Sequence, residues 1–406
     1  MRILICHDTG FADGGSGAVA MASAKALAQR GHDTTLLAAA GPVDPGLAAA
    51  GVNVVCLDQA TVTANASKVR AAAQYIWNSA AYHTCRALLS DMPHGQTIIH
   101  IHGWTKGLSS SVFRAAFQSG HPALVHLHDF FIGCPNGGQF DYRAGFPCTR
   151  VGMSGSCILT NCDSRSYAHK LLRVARQAVQ ETAGGVPDSC AGFIAHLPAT
   201  KNAMLPYVGN RPVHLTPMLA DIPVRERVEA SANDTYLQVG RLSFEKGPDI
   251  FAAAARLAGV RPTFVGDGPM REEIQSRFPE AIITGWLDPD GVRRHLRKAR
   301  VLAFPSRAHE TFGLVIQEAA SYGVPCVISD RAFPSQMVKD GETGLHFRAY
   351  DAPDLAQKLI QIADNSMVAK LGFGAHAAYT ENPISLERGA DALIKVYEQT
   401  LIGGTF

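Results

Sequence analysis

Apolar residues in this chain fall in short continuous runs, and stretches with helical periodicity separate one run from the next. Continuous runs of this kind predict parallel strands buried on both faces, whereas half-exposed strands alternate. The first run, Arg2 to His7, leads into a Gly-rich loop, a helix from about Ser16 to Arg30 and a strand from Thr34 to Ala39. Gly31 sits where a helix C-cap belongs. Thr97 to Ile101, Ala123 to Leu127 and Gly192 to Ala195 read as further strands, so residues 1–219 predict a doubly wound α/β lobe. A polar stretch from Leu219 to Asp234 follows, and the pattern then restarts. Strands are expected at Tyr236 to Val239, Thr263 to Val265, Ala281 to Thr284, Val301 to Phe304 and Pro325 to Ile328, with a helix at Asp249 to Leu257. Residues 220–383 therefore predict a second Rossmann-like lobe. Beyond Pro383, the spacing of Leu386, Leu393, Ile394, Tyr397 and Leu401 predicts a closing helix within residues 384–406.

Composition narrows the class. With 406 residues and 47% hydrophobic against 18% charged side chains, the chain can fill two cores and reads as soluble and globular. A net charge of +2 gives no field that argues for nucleic acid, although the first 220 residues hold a small basic excess and the rest a small acidic one. No apolar run reaches the length of a membrane-spanning helix. The N-terminus reads as a first strand with no small-residue cleavage site, the expectation for a cytoplasmic protein.

Candidate chemistry concentrates in loops after strands. Gly14 and Gly15 precede the first helix. Gly15, Gly17 and Ala20 match a dinucleotide fingerprint in form, but the second strand ends without an acid to hold a ribose. Backbone N–H groups at that helix start suit a phosphate instead. In the second lobe, Gly240-Arg241-Leu242-Ser243-Phe244-Glu245-Lys246-Gly247 sets two cations on one loop, which suits a diphosphate. Downstream come Val265-Gly266-Asp267-Gly268-Pro269 and a stretch with Glu310 before a helix, Gly313 near its start and Glu318 inside it. A helix N-terminus favours phosphate, and carboxylates suit hydroxyl-rich sugar and ribose.

These three second-lobe motifs, in this order and spacing, resemble the retaining glycosyltransferases of family 4. The resemblance covers nearly the whole chain. It implies the GT-B arrangement, two Rossmann-like lobes facing across a cleft, with the closing helix crossing back to the first lobe. It further implies that Arg241 and Lys246 bind the donor diphosphate, Glu310 contacts the transferred sugar and Glu318 holds the ribose. Backbone groups at Gly240, Gly266, Gly313 and Leu314 would line the donor, Gly285 would frame the base, Gly14 and Gly15 would face phosphate, and His128 would face the sugar. The implied reaction moves a hexosyl unit from a UDP- or GDP-sugar to a glycan or lipid-linked acceptor, in polysaccharide or glycolipid assembly, without a catalytic metal. The alternatives are a non-catalytic sugar-nucleotide-binding scaffold and a nucleotide-sugar epimerase or hydrolase on the same fold.

Three features lie outside that pattern. His100-x-His102 and His126-x-His128 end two predicted strands and share a face, which suits either a metal or hydrogen-bonded cleft histidines. His102 and Trp104 are expected to line the acceptor cleft. An insertion at about 130–165 holds Cys134, Cys148, Cys157 and Cys162, candidate ligands for a structural Zn2+, with disulfides and unligated thiols as the alternatives. Finally, His169 to Arg176 reads as a short basic amphipathic helix, a candidate for peripheral contact with the inner face of a membrane.

Overall fold

The structure is a computed structural model and describes residues 1–62 and 64–403; the last three residues of the expected closing segment lie outside them. It divides into two units. The first comprises residues 1–138, 150–221 and 384–406, the second residues 139–149 and 222–383. Most of the Cys-bearing insertion thus belongs to the first unit, while a short hairpin within it belongs to the second.

In chain order the strands are β1 (Arg2–Thr9), β2 (Asp33–Ala40), β3 (Asn53–Cys56), β4 (Thr97–Ile101), β5 (Ala123–His126), the hairpin β6 (Phe140–Asp141) and β7 (Phe146–Pro147), β8 (Gly192–Ala195) and β9 (Val213–Leu215). The second unit continues with β10 (Thr235–Val239), β11 (Pro262–Val265), β12 (Ile282–Ile283), β13 (Ala299–Phe304), β14 (Cys326–Ser329) and β15 (Gly344–Phe347). The first sheet runs β3-β2-β1-β4-β5-β8-β9 and the second β12-β11-β10-β13-β14-β15. Every pairing in both is parallel. Strand order reverses between β1 and β4 in one sheet and between β10 and β13 in the other. Ligands bind such sheets at this reversal, beyond the carboxyl ends of the strands.

Burial on both faces explains the continuous apolar runs. Along β13, Val301 and Ala303 join the cluster of Phe251, Phe264, Leu355 and Leu359. Leu302 and Phe304 join that of Leu237, Ile316 and Ile328. In the first unit, Ile3, Leu27, Leu36, Ile98 and Ile194 share a core with Leu393, Val396 and Tyr397 of the helix Leu386–Ile402. That last helix packs on the helix Gly15–Gln29, and Gly389 lies so close to Leu219 that a Cβ there would sit 2.6 Å from its backbone. Among the described residues no helix is long and apolar enough to cross a membrane.

Candidate functional site

In the second unit two loops meet at the strand-order reversal, one after β10 and one after β13. Gly247 makes the meeting close: it has φ 66°, and a Cβ on it would lie 2.2 Å from the Pro305 carbonyl oxygen, so only glycine fits. The backbone N–H groups of Arg307 and Ala308 donate to the Glu245 carbonyl, which the Ser306 hydroxyl also approaches at 3.1 Å. Arg307 then grips Asp249 with two bonds at 2.7 and 2.6 Å and covers the Phe244 ring. On this frame Lys246 Nζ donates to both carboxylate oxygens of Glu310, at 2.5 and 2.6 Å, and Ser306 Oγ donates to the same carboxylate at 2.7 Å.

Glu310 itself has φ 55°, a conformation that costs a non-glycine residue of order 1–3 kcal/mol. The loop bonds on either side hold it there. Gly313, at φ 84°, precedes the helix Leu314–Ser321, whose first N–H groups are left without a side-chain cap. Glu318 lies one turn inside that helix, and burial raises its pKa, opposed by Arg293. Arg241 is exposed. Gly240, Gly266 and Gly285 abut through backbone: Gly266 bridges to Gly285, and a Cβ on Gly266 would lie 2.0 Å from the Gly240 carbonyl oxygen. The structure thus gathers Lys246 and Glu310 directly, and Ser306 is a third member that no sequence signal marked.

The first unit presents its own set. Gly14 and Gly15 open the helix Gly15–Gln29, and a Cβ on either would meet nothing within 4 Å. Asp8, buried at the end of β1, accepts the backbone N–H groups of Lys106, Gly107 and Leu108 at 2.8, 2.7 and 2.9 Å and so anchors the loop after β4. Beside it five imidazoles form one connected chain. His128 Nε2 meets His102 Nδ1 at 2.9 Å, and His102 Nε2 meets His100 Nδ1 at 3.2 Å. His100 Nε2 meets His126 Nδ1 at 3.2 Å, His126 Nε2 meets His196 Nε2 at 2.6 Å, and His196 Nδ1 meets the Thr216 carbonyl at 2.9 Å. The Tyr397 hydroxyl reaches His100 Nδ1 at 2.6 Å. Burial lowers the pKa of all five rings, to about 3 at His100 and about 4 at His196. Nitrogens of His100, His102 and His126 lie within 4.8 Å of one another. His196 follows β8 directly, much as His102 and His128 follow β4 and β5, and its place at a strand end marks it in the sequence.

Two sequence expectations change here. Trp104 does not line a cleft: it is 3% exposed, packs edge-on against Phe113 and commits its N–H to Gln180 at 2.9 Å. His102, at 1% exposed, is an interior link of the histidine chain. The basic helix also turns inward. Within Tyr167–Thr182, Lys170 and Arg176 are buried, Arg176 between the Tyr75 and Phe131 rings, and Arg173 pairs with Asp163. Lys170 and Arg176 are therefore spent inside the protein, and Arg173, paired with Asp163, is the partly exposed cation of the three.

Lys170 points at the cysteines. Its Nζ donates to Cys157 Sγ at 3.4 Å, and Asn136 Nδ2 donates to Cys162 Sγ at 3.2 Å. Burial pulls the Lys170 pKa down, but the sulfurs of Cys162 and Cys157 outweigh it and hold the ammonium above its ordinary value. Cys134 lies in the same unit, in the turn after Phe130, and Cys148 lies in the second unit beside Gln139.

Two parallel, doubly wound sheets, each with its own strand-order reversal, are the architecture of the GT-B fold. Residues 14–164 match the family described as glycosyl transferase 4-like domain, and residues 233–365 that of glycosyl transferases group 1. The chain belongs to the family 4 glycosyltransferases. It is 29% identical over 157 residues to 2-deoxystreptamine N-acetyl-D-glucosaminyltransferase of Niallia circulans, covering 36% of this chain and 40% of that protein. The chain thus spans well under two thirds of the curated relative it matches. Among solved structures, sucrose-phosphate synthase from Thermosynechococcus elongatus superposes with a TM-score of 0.71 at 18% identity, covering 99% of this chain and 100% of that one. HepE from Anabaena, solved with UDP and glucose, gives 0.65 at 17% identity, covering 98% and 100%.

Proposed function

We propose that the protein transfers a hexosyl unit, with retention of anomeric configuration, from a UDP- or GDP-sugar to a glycan or lipid-linked acceptor in polysaccharide or glycolipid assembly. The observation that carries this reading is the Lys246–Glu310 pair, locked at a strand-order reversal beside the uncapped helix start at Gly313. Expelling a nucleoside diphosphate leaves negative charge on phosphate and builds positive charge on the sugar ring. Arg241, Lys246 and the N–H groups at Gly313 and Leu314 stabilise the first by fixed electrostatics. Glu310 orients the transferred sugar, Glu318 accepts from the ribose hydroxyls, and the glycines at 240, 266 and 285 let the donor approach backbone, Gly285 beside the base. In the first unit Gly14 and Gly15 offer bare N–H groups to phosphate, and His128 faces the sugar. In this reading the departing phosphate takes the acceptor proton, and Glu310 and Glu318 are not a hydrolase acid and nucleophile pair. UDP is the first base to test, since HepE was solved with it.

A thermal-shift panel of UDP-, GDP- and ADP-sugars tests the proposal, because a ligand that binds only the folded state raises its stability by mass action. One base should raise the melting temperature selectively, and nucleotide release should then accelerate when an acceptor glycan is added. Stabilisation by none of the three, in a folded sample, overturns the donor assignment. Binding without release returns the scaffold reading, and release indifferent to acceptor returns the epimerase or hydrolase reading.

We also propose that Cys134, Cys157 and Cys162, the insertion cysteines that belong to the first unit, ligate a structural Zn2+. Donation from Lys170 to Cys157 and from Asn136 to Cys162 supports it, since such hydrogen bonds stabilise the negative charge of a metal-bound thiolate. Protein purified without chelator should carry close to one Zn2+ by elemental analysis, and a content below roughly a tenth of an equivalent overturns the assignment.

A further inference from the structure

The five linked imidazoles of the first unit have only one hydrogen-bond polarity open to them. Each is neutral at physiological pH, since burial holds every ring well below its ordinary pKa. A neutral imidazole has one N–H and one lone pair, so its two nitrogens must play opposite parts. The chain ends on the Thr216 carbonyl, which can only accept. His196 Nδ1 must therefore carry the proton and His196 Nε2 the lone pair.

The rest follows ring by ring. His126 Nε2 donates to His196, so His126 Nδ1 accepts; His100 Nε2 donates to it, so His100 Nδ1 accepts. His100 Nδ1 has a single lone pair, which takes the Tyr397 hydroxyl at 2.6 Å and is shared with the more distant His102 Nε2–H at 3.2 Å. Burial raises the Tyr397 pKa, so that hydroxyl keeps its proton. His102 Nδ1 then accepts, and the donor facing it is His128 Nε2–H. Reversing any one ring sets two lone pairs or two N–H groups against each other inside a buried network.

We infer that the Thr216 carbonyl, acting through His196, His126, His100 and His102 with Tyr397 as a side anchor, fixes His128 as its Nε2–H tautomer with Nδ1 as an acceptor for a donor-sugar hydroxyl. The chain is a lock and not a proton conduit, because its inner end is an amide carbonyl that can neither take up nor release a proton. His196, His126, His100, His102 and Tyr397 are positioning residues. Their use in catalysis rests on the reading of His128 as the sugar-facing side chain, while the tautomer assignment stands on the hydrogen-bond geometry together with the neutrality of the rings.

The test is two-bond 1H–15N correlation NMR on protein with 15N-labelled histidine, in which the two neutral tautomers give different cross-peak patterns. The wild type should show Nε2–H tautomers at His100, His102, His126 and His128 and an Nδ1–H tautomer at His196. His126→Leu cuts the chain and should leave His128 averaging between tautomers, with donor kcat/KM lower by about tenfold through KM, the size of one lost hydrogen bond. His126→Gln restores one acceptor and one donor and should recover both readouts, which a merely space-filling role would not require. An Nδ1–H tautomer at His128 in the wild type, or an unchanged His128 in His126→Leu, overturns the inference. So does a bound transition metal lost in His100→Ala, since the ring lone pairs would then be ligands. A His128→Ala variant with unchanged turnover would instead defeat the sugar-facing reading and leave the tautomer result standing.

Discussion

Lys246→Ala is expected to lower turnover more than tenfold while leaving the protein folded. Among the described residues Lys246 Nζ is the only cation on the Glu310 carboxylate, bridging both of its oxygens. Removing it strips the departing diphosphate of a fixed charge and also leaves Glu310 held by Ser306 and a strained backbone alone. A tenfold loss corresponds to about 1.4 kcal/mol of transition-state stabilisation, a modest demand for a charge directed at developing phosphate. Folding should be little affected, because the Lys246 side chain is 34% exposed and pairs of that exposure contribute no more than about 1 kcal/mol. Initial rates of nucleotide release with acceptor, beside melting curves, read both effects. The double variant Lys246→Ala, Glu310→Gln should cost less than the sum of the singles, as expected of two groups acting as one unit. Unchanged turnover in Lys246→Ala removes the diphosphate assignment.

The largest stability effect should come from Arg300→Leu. This guanidinium, 6% exposed at the start of β13, donates five bonds: to the carbonyls of Ser231, Asn233, Ile362 and Ala363 and to the Asn365 side chain. Two of those carbonyls end the helix Ala352–Ile362, where the helix dipole is negative. One side chain thus ties the segment before β10 and the turn between two helices to the central strand. Leucine removes all five bonds and leaves the buried Ile362 carbonyl unpaired, with the other four acceptors half-buried or at the surface, and a loss of about 3 kcal/mol is expected. In a domain of this size that lowers the melting temperature by about 10 °C. Arg300→Lys keeps the charge but not the planar fork, and should fall between the two. Thermal unfolding followed by circular dichroism measures both; a shift below about 2 °C for Arg300→Leu would show that water replaces the guanidinium at no cost.

The sequence displayed the sheets well where strands are long and buried on both faces, as at Arg2–Thr9 and Ala299–Phe304. It was mute at Asn53–Cys56, Val213–Leu215 and Gly344–Phe347, three of the four outer strands of the two sheets, which are only three or four residues long. In the second unit Lys246 and Glu310 were legible because motif spacing marks them. Ser306 was not, since a serine in a loop has no distinctive pattern. The strand-end histidines were visible as residues, yet their linkage was not. It depends on which strands are neighbours and on Tyr397, which lies 297 residues from His100 and reads in sequence as one more apolar helix position. Trp104, Lys170 and Arg176 misled for a common reason. Large amphipathic side chains bury their bodies and turn their polar ends to local partners, here Gln180, thiols, aromatic rings and carbonyls, and periodicity does not report such partners.

The placement of the helix Leu386–Ile402 bears on biosynthesis. A ribosome delivers residues 222–383 in full before it delivers the segment that fills the core around Leu27, Ile98 and Ile194 and anchors His100. Domains form as units while the chain emerges. The second domain can therefore finish first, while the earlier-made half waits with an apolar face open until the last turns appear. Nascent chains arrested near residue 383 should bind hydrophobic-surface chaperones, and this protein's order of completion runs opposite to its order of synthesis.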